Sequence, residues 1–282
     1  MTNIIFVSDL FVEDYVGGAE LTSEAIIDKS PFPITKVRSG DLSIDLIKSN
    51  LNSHWVFGNF AFLDDKMIFN IIKSKIVYDV IEYDFKFCTL RSPQKHSKFF
   101  GKCECETGTR SKIVSLFFNK ARRRWFMSKR QKDVYTSLFP FLDNDKSEVL
   151  SSVFKGSTIE MLSNMERQKN DSYIIFKTEN WLKGTQNAIQ FAKQNNLKYE
   201  LVSSLAYNEM LKKLSDSKGL ILMPNAHDTC PRITIEAKLL GCELFLNDNV
   251  LHAEEEWFAN DPQRTHEYLL SNCDKLWSTF SD

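Results

Sequence analysis

The stretch Pro224–Lys238 carries the densest group of residues able to take part in chemistry. It reads Pro-Asn-Ala-His-Asp-Thr-Cys-Pro-Arg-Ile-Thr-Ile-Glu-Ala-Lys. Pro231 suits the first position of a helix, because the N–H that proline lacks would have no intrahelical partner there. The N–H groups of Arg232 and Ile233 then point into the preceding loop, where they can bind an anion with the helix dipole behind them. The pattern therefore predicts an anion-binding loop.

Two carboxylates flank the start of this predicted helix. Asp228 lies just before it, and Glu236 lies about one and a half turns inside it. Both can border one pocket at the junction of a strand and a helix. Gly241 is the predicted helix end, because glycine readily adopts the left-handed conformation that terminates helices. A capped helix with an exposed glutamate is the alternative interpretation, and composition alone favours it.

A second loop, Val16–Glu20, contains two adjacent glycines after the first predicted strand. Gly17 and Gly18 let the backbone approach a ligand closely, and the following helix offers N–H groups to a phosphate or an acceptor. The loop lacks the Gly-Lys-Ser/Thr ending of a Walker motif and the third glycine of a dinucleotide fingerprint. Taken alone, the pair of glycines is more typical of a turn than of a binding site.

A third group consists of Cys88, His96, Cys103 and Cys105, which lie within eighteen positions of one another. These four soft ligands can form a tetrahedral zinc site that stabilises a loop with little core of its own. The spacing Cys-x7-His-x6-Cys-x-Cys matches no named zinc pattern, and Cys-x-Cys is tight for one ion. Reduced, unligated thiols are therefore the favoured interpretation, with structural zinc as the alternative.

Apolar runs alternate with helical periodicity along most of the chain, which predicts an α/β fold. The strands predicted in the first half are Ile4–Val7, His54–Phe57, Lys75–Ile81, Trp125–Ser128 and Glu148–Val153. Phe87–Lys112 shows no clear periodicity, so we expect a long functional loop or a small subdomain there. The boundary of a second series falls around Lys155–Ser172.

The second half repeats the alternation of strands and helices. Its predicted strands are Tyr173–Lys177, Tyr199–Ser203, Gly219–Met223 and Glu243–Leu246, and its predicted helices are Thr185–Gln194, Tyr207–Leu214 and Pro231–Leu240. Two consecutive α/β domains with a cleft between them are typical of nucleotide-handling enzymes, because ligands bind at the carboxyl ends of parallel strands.

Composition restricts the class of protein. The 282 residues carry a net charge of −1 and are 43% hydrophobic, which excludes disordered and collagen-like chains. No apolar run approaches the roughly 20 residues of a membrane helix. The N-terminus lacks the features of a signal peptide, and six cysteines in a chain of this length do not resemble a secreted disulfide scaffold. We therefore expect a cytoplasmic protein.

Charge is unevenly distributed along the chain. Lys95–Lys132 contains twelve Lys and Arg residues and two acidic ones, including the triplet Arg122–Arg124. Such a segment can attract an anionic partner, or it can be a solvated face. It lacks the interleaved aromatic residues of a recognisable nucleic-acid-binding module, so no nucleic acid is expected as a partner.

The Asp228–Glu236 pair resembles the Glu-x7-Glu signature of the retaining GT-B glycosyltransferases of family 4, with Asp in the first acidic position. Gly17–Glu20 resembles the N-terminal phosphate loop of that family, and Trp181–Gly184 resembles its Lys-Gly after the first strand of the donor domain. Two further stretches, Trp125–Gln131 and Val149–Phe154, resemble the last steps of the first domain. The family's arginine five residues before the lysine is replaced by Thr178, with Lys177 beside it.

The resemblance implies transfer of a sugar, with retention, from a nucleotide-diphospho-sugar, most readily a UDP- or GDP-sugar, without a required cofactor or metal. Glu236 would accept hydrogen bonds from the ribose, Asp228 would face the sugar, and Lys183 would hold the diphosphate; these three are the predicted catalytic residues. The predicted donor-binding residues are Gly17, Gly18, Lys177, Lys183, Asp228, Thr229, Cys230, Arg232, Ile233 and Glu236.

The resemblance also implies a domain organisation: two Rossmann-like domains facing a central cleft, with residues 1–155 on the acceptor side, residues 156–261 binding the donor, and a C-terminal helix (262–282) crossing back. The predicted acceptor-side residues are Glu20, Glu82, Arg91 and His96. The acceptor would be a glycan, a lipid-linked group or another hydroxyl compound, with an anionic acceptor or peripheral contact with an anionic membrane suggested by the basic segment. The alternative function is a non-catalytic module that binds nucleotide-sugars or glycans.

Overall fold

The computed structural model describes residues 3–259 and 261–280. They form two compact units, one within Met1–Val153 plus Cys273–Asp282 and the other within Phe154–Asn272. The division thus falls two residues before the boundary expected from the sequence, and the end of the chain from Cys273 groups with the first unit. Among the described residues, no helix combines the length and the apolar character needed to cross a membrane.

The first unit is built on a parallel sheet of six strands within the described chain, in the order β2-β1-β3-β4-β5-β6. Every residue of the central strand β1 is buried, as expected for a parallel strand covered on both faces. The strands are β1 (Ile4–Ser8), β2 (Ile34–Arg38), β3 (His54–Phe57), β4 (Val77–Glu82), β5 (Arg124–Phe126) and β6 (Ser147–Val149). The helices are α1 (Gly18–Asp28), α2 (Ile44–Ser49), α3 (Asp65–Ser74), α4 (Pro93–Phe100), α5 (Thr109–Lys120) and α6 (Lys129–Leu138).

The second unit contains a parallel sheet of four described strands in the order β10-β9-β7-β8. The pattern is that of the first unit, because in both sheets the first strand lies between the second and the third. The strands are β7 (Tyr173–Phe176), β8 (Tyr199–Val202), β9 (Gly219–Leu222) and β10 (Glu243–Leu246). The helices are α7 (Gly156–Asn164), α8 (Thr185–Gln194), α9 (Tyr207–Asp216), α10 (Arg232–Leu239) and α11 (Glu256–Ala259). Helix α12 (Pro262–Ser278) begins in the second unit, and its residues from Cys273 belong to the first.

The α/β prediction is confirmed, and helix α8 has the predicted bounds. The segment Phe87–Lys112, for which the sequence predicts a long functional loop or a small subdomain, contains α4 and the start of α5. Helix α4 has no buried residue and therefore no apolar stripe for periodicity to reveal. The strand predicted over Trp125–Ser128 ends earlier, because Ser128 caps helix α6 by accepting a hydrogen bond from the Gln131 amide at 3.3 Å.

The expected C-terminal helix over 262–282 is observed as α12, which ends at Ser278. Residues 281 and 282 lie outside the described residues. The end of the chain is anchored in the first unit, where the Trp277 indole donates to the Ile26 carbonyl at 3.1 Å. Trp277 is buried.

Candidate active site

The candidate site of the second unit lies where the strand order of its sheet reverses. Strands β7 and β9 are neighbours, and the chains leaving their carboxyl ends diverge to opposite sides. Lys183 follows β7 and Asp228 follows β9, and Lys183 Nζ lies 2.7 Å from Asp228 Oδ2. Open α/β sheets bind ligands at such a reversal point. The sequence-predicted lysine and the first predicted carboxylate therefore meet at the position where this fold binds ligands.

Gly184 allows the lysine to reach this position. It ends a short 3₁₀ turn, Trp181–Lys183, and adopts a left-handed conformation with φ of +65°. A Cβ at this position would lie 1.8 Å from the Met223 carbonyl oxygen at the end of β9. Only glycine fits this close approach, because any side chain would collide with backbone that cannot move independently.

Asn225 joins the loops after β7 and β9. Its backbone N–H donates to the Leu182 carbonyl at 2.9 Å, and its side-chain amide donates to the Trp181 carbonyl at 2.6 Å. Asn187, on helix α8, donates in turn to Asn225 Oδ1 at 2.8 Å. These bonds fix the 3₁₀ turn against the loop that carries Asp228, so the distance between Lys183 and Asp228 is set by backbone as well as by charge.

The loop after β10 supports Asp228 from the other side. The Asp228 N–H donates to the Asn249 carbonyl at 2.8 Å, and the Leu251 N–H donates to the Asp228 carbonyl at 3.0 Å. The side chains of Asn247 and Asn249 both donate to the Pro224 carbonyl, at 2.9 and 2.8 Å. Asp228 is thus held at the carboxyl ends of three neighbouring strands, with its side chain only 12% exposed.

Glu236 lies on helix α10 and is 2% exposed. Its Oε1 accepts hydrogen bonds from the Tyr207 hydroxyl at 2.7 Å and from Arg232 Nε at 3.2 Å. Burial raises the pKa of Glu236, whereas the charge of Arg232 and the hydrogen bond from Tyr207 lower it. The Arg232 guanidinium lies 3.5 Å from the centre of the Phe154 ring, so a cation–π contact fixes it in place.

The sequence predicts that Asp228 and Glu236 can border one pocket. In the structure, each of these carboxylates has its own cationic partner. Lys183 binds Asp228, while Arg232 binds Glu236 through an i,i+4 contact in which both side chains are almost fully buried. A buried pair of this kind leaves an uncompensated charge if one partner is removed. Arg232 therefore acts through its side chain as the partner of Glu236, in addition to the predicted role of its backbone N–H.

The other predicted donor residues of the second unit differ in their exposure. Pro231 precedes the first helical residue instead of occupying the first helical position, because helix α10 begins at Arg232. Thr229 and Cys230 are each 8% exposed, Ile233 is half-buried, and Lys177 is exposed. Tyr207, at the start of α9, was not predicted; the only sequence signal for it is an aromatic hydroxyl soon after a strand.

In the first unit, the glycine loop leads directly into helix α1. Gly17 caps helix α1, which begins at Gly18. A Cβ on Gly17 would lie 2.5 Å from Glu20 Oε2 and 2.6 Å from the Tyr15 ring, so a larger residue here would have to displace these two side chains. Burial raises the pKa of Glu20; the nearby Asp9 raises it further and Arg91 lowers it. Two predicted acceptor-side residues, Glu20 and Arg91, therefore interact electrostatically.

The end of strand β4 carries a buried charge network. Lys86 Nζ lies 3.1 Å from Glu82 Oε1 and 3.2 Å from Asp84 Oδ1, and Arg91 lies 3.4 Å from Asp84. Burial raises the pKa of Glu82 to about 8, against the opposing charge of Lys86. Glu82 is thus a buried partner of Lys86, and Arg91 is the half-exposed member of the network. The fourth acceptor-side residue, His96, lies in the cysteine cluster instead.

Asp9, directly after β1, was missed by sequence reasoning. Its carboxylate accepts hydrogen bonds from the Ala61 amide at 2.8 Å and the Phe62 amide at 3.0 Å, and from the Ser39 hydroxyl. It joins the loops at the point where the strand order of the first sheet reverses. An acidic residue immediately following the first buried strand is the signal that marks this position.

Two arginines of the Arg122–Arg124 triplet bind partners within the first unit. Arg122 donates two hydrogen bonds of 2.9 Å to the buried carboxylate of Asp79. Arg124 is 1% exposed and donates to Ser147 Oγ at 3.0 Å and to the carbonyls of Phe118 and Asp143. The cluster of charge in the sequence is thus divided among different internal partners in the first unit.

Comparison with known proteins supports the fold alone. No protein-family model and no curated protein matches the sequence. Among solved structures, Anabaena HepE in complex with UDP-glucose is 12% identical, with a TM-score of 0.54 and coverage of 99% of this chain and 95% of that one. An alpha-glucosyltransferase in complex with UDP and a 13-mer DNA containing an HMU base is also 12% identical, with a TM-score of 0.56 over 100% and 91% of the chains.

A third solved structure, AviGT4, is a glycosyltransferase involved in avilamycin A biosynthesis. It is 7% identical, with a TM-score of 0.53 over 98% of this chain and 93% of that one. All three similarities extend over nearly the full length of both chains. The chain therefore has the GT-B glycosyltransferase fold.

Proposed function

We propose that this protein is a retaining glycosyltransferase that moves a sugar from a nucleoside-diphosphate sugar to a hydroxyl acceptor, with UDP-glucose as the first donor to test. The observation that carries the proposal is the Lys183–Asp228 pair at the reversal point of the second sheet. The solved structures with this fold supply the choice of donor, because HepE was solved with UDP-glucose and the alpha-glucosyltransferase with UDP.

In this proposal, Lys183 binds the diphosphate. When the bond between the sugar carbon and the phosphate oxygen breaks, negative charge develops on the leaving phosphate. Lys183 and the N–H groups of the first turn of α10 stabilise that charge, and such prearranged groups provide much of the rate acceleration in enzymes. The acceptor hydroxyl attacks on the face from which the phosphate departs, and the phosphate takes its proton.

Binding of the donor requires Lys183 to exchange one anion for another. Its pair with Asp228 is partly exposed, and exposed ion pairs contribute only about 0–1 kcal/mol. A diphosphate carries more charge than a carboxylate and can therefore displace it. Asp228 is then released to accept hydrogen bonds from hydroxyl groups of the sugar, which is the role proposed for it here.

Glu236 binds the ribose of the nucleotide in this proposal. Its carboxylate is already held by Tyr207 and Arg232, so no side-chain entropy is lost when the ribose binds. The charge of Arg232 favours the ionised form, which accepts hydrogen bonds from two neighbouring ribose hydroxyls. Arg232 and Tyr207 are therefore positioning residues for Glu236.

We propose that donor transfer needs no bound metal. Within the part of the second unit that the structure describes, no three His, Cys, Asp or Glu side chains converge into a preformed metal site. Lys183 and the start of α10 meet the charge of the diphosphate instead. Initial rates should therefore survive brief exposure to EDTA, whereas a complete loss restored by magnesium or manganese would contradict this part of the proposal.

We assign the acceptor to the first unit, near Glu20 and Arg91, and propose a glycan or another small hydroxyl compound, including anionic ones that Arg91 would attract. One solved structure with this fold contains DNA with an HMU base. DNA is not the acceptor proposed here, because Arg122 and Arg124 bind partners within the first unit and are not arranged to contact phosphates. Oligonucleotides containing hydroxymethylated bases belong in the acceptor panel as a test of this choice.

The experiment is a donor screen with two readouts. Thermal unfolding is followed with UDP-, GDP-, ADP- and dTDP-sugars, because a ligand at 100 times its dissociation constant adds about 2.7 kcal/mol of stability. Release of nucleoside diphosphate is then measured with and without an acceptor mixture. Stabilisation with turnover supports the enzyme. Stabilisation without any hydrolysis or transfer would instead indicate a nucleotide-sugar-binding module, and no response to any donor would contradict both functions.

A further inference from the structure

We propose that the first unit contains a structural zinc site formed by Cys88, His96, Cys103 and Cys105. The sequence favoured unligated thiols at these positions, mainly because Cys-x-Cys is tight for one ion. In the structure, one ligand atom from each of the four side chains lies within 4.8 Å of every other. The proposal is independent of glycosyl transfer.

The distances between ligand atoms match a tetrahedral zinc site. Zn–S bonds of about 2.3 Å and Zn–N bonds of about 2.0–2.1 Å place two sulfurs about 3.8 Å apart and a sulfur and a nitrogen about 3.6 Å apart. The sulfurs of Cys88 and Cys103 are 3.8 Å apart. His96 Nδ1 lies 3.6 Å from the Cys88 sulfur and 3.2 Å from the Cys105 sulfur. Only small shifts would be needed to place an ion at the centre.

A disulfide explains this arrangement less well. The sulfurs of Cys88 and Cys103 are 3.8 Å apart, nearly twice the S–S bond length of about 2.05 Å. A disulfide between Cys88 and Cys103 would also not explain why the Cys105 thiol and the His96 imidazole lie beside these two sulfurs. Convergence of His96 Nδ1 with three sulfurs is instead the Cys₃His ligand set of structural zinc sites.

Neighbouring groups orient the sulfurs. The Thr89 hydroxyl lies 3.7 Å from the Cys105 sulfur, and the Cys103 N–H donates to Ser97 Oγ at 3.1 Å. Contacts of this kind around the ligand set help to fix metal ligands in place.

Helix α4 and the loop after it have little hydrophobic packing to hold them in place. Helix α4 has no buried residue, and a helix of eight residues is not stable in water without packing. The four ligands come from three pieces of chain: Cys88 before α4, His96 within it, and Cys103 and Cys105 after the turn at Gly101. Zinc would join these pieces and take the place of a hydrophobic core.

The test measures metal content in the full-length protein. Protein produced with zinc in the medium and then gel-filtered should contain about one zinc per chain, released by a thiol-modifying mercurial and detected with a chromogenic chelator. Cys103→Ser and His96→Ala should lose most of this zinc. Cys242→Ser, which changes a cysteine of the second unit, should keep it, and His96→Cys should restore it because four ligands are again present.

Cobalt substitution provides a second readout that does not depend on activity. Protein refolded or reconstituted with Co²⁺ should show the visible absorption and sulfur-to-metal charge-transfer bands of a tetrahedral thiolate site, and Cys103→Ser should weaken them. Wild-type protein that contains no zinc and binds no Co²⁺ would overturn the proposal. Equal zinc content in wild type, Cys103→Ser and His96→Ala would also overturn it, because the metal would then lie elsewhere.

Discussion

Lys183 Nζ lies 2.7 Å from Asp228 Oδ2, although the two residues are 45 positions apart in the chain. They lie on loops that leave neighbouring parallel strands in opposite directions. Without a ligand, the two side chains neutralise each other. The Lys183 ammonium group then lies where the proposed anionic donor would bind. This arrangement predicts that changes to the two partners have opposite effects on nucleotide binding.

Asp228→Asn should separate binding from turnover. Removing the carboxylate releases Lys183 from its competitor, so affinity for UDP should stay equal to that of the wild type or rise slightly. Turnover of UDP-glucose should fall about tenfold or more, because a charged hydrogen bond to the sugar contributes about 1.5–3 kcal/mol. Calorimetric titration with UDP and initial rates with UDP-glucose measure the two effects. A parallel loss of affinity and rate would show that Asp228 does not compete for Lys183.

Glu236→Gln should weaken UDP binding by about tenfold or more, because the ribose loses a charged hydrogen-bond acceptor worth about 1.5–3 kcal/mol. The variant should also be less stable, since Arg232 would remain buried without its counter-charge. Tyr207→Phe is the matched variant: it removes one hydrogen bond to Glu236 but keeps the carboxylate. Its loss of affinity should be smaller. A folded Glu236→Gln protein with wild-type affinity would remove Glu236 from the donor site.

Gly184→Ala should destabilise the second unit and reduce donor affinity together. Its added Cβ would meet the Met223 carbonyl in a backbone conformation that alanine disfavours, at a cost of at least 1–2 kcal/mol. The collision would move the turn that carries Lys183 away from the loop of Asp228. Gly156→Ala is the control, because a Cβ at that position meets no atom within 4 Å. Similar urea midpoints for the two variants would refute this account of the turn.

Burial of His252 should make the free energy of unfolding depend on pH. It is fully buried, its Nε2 lies 3.1 Å from Thr234 Oγ1, and burial lowers its pKa to about 3. Below pH 6.5, the ordinary pKa of histidine, His252 therefore binds a proton in the unfolded chain, whereas in the folded chain it stays neutral until the pH approaches 3. The stabilising contribution is complete above pH 6.5 and is lost as the pH falls from there toward 3. Between pH 7.5 and 5.5, unfolding should become about 1 kcal/mol easier from this group.

Urea unfolding followed by tryptophan fluorescence measures this effect, because the Trp257 ring stacks on His252 with ring centres 5.6 Å apart. His252→Gln supplies the comparison, since glutamine does not titrate in this range. The difference in unfolding free energy between wild type and variant should shrink as the pH falls from 7.5 to 5.5. A constant difference across this range would show that His252 does not act as a buried neutral base.

The strands and helices with buried faces could be predicted from the sequence, because burial leaves a period in the pattern of apolar residues. Helix α8 was predicted with the observed bounds for this reason. Helix α4 was not, because all its residues are at least partly exposed. Strand β2 was also missed, since it lies at the sheet edge and mixes Thr35, Lys36 and Arg38 with apolar residues.

In the candidate site, too, local sequence patterns identify individual residues but not the distant residues that they contact. Lys183, Asp228 and Glu236 could be singled out by residue type and local motif. Their partners could not, because the contacts of Lys183 with Asp228 and of Tyr207 with Glu236 join distant segments. The sequence also could not decide between the two interpretations of the basic segment around Arg122–Arg124, because the acceptors of these arginines, such as Asp79 and Ser147, come from other parts of the chain.

The most direct test of the central claim is calorimetric titration of UDP and UDP-glucose into wild type, Lys183→Met and Lys198→Met. Lys198 is the matched control, because it also forms a 2.7 Å pair in the second unit, with Asp171, but on an exposed surface. We expect wild type and Lys198→Met to bind with the same affinity and Lys183→Met to bind at least about tenfold more weakly, which corresponds to about 1.4 kcal/mol. Equal affinity in all three proteins, or no binding by the wild type, would contradict the assignment of the donor site.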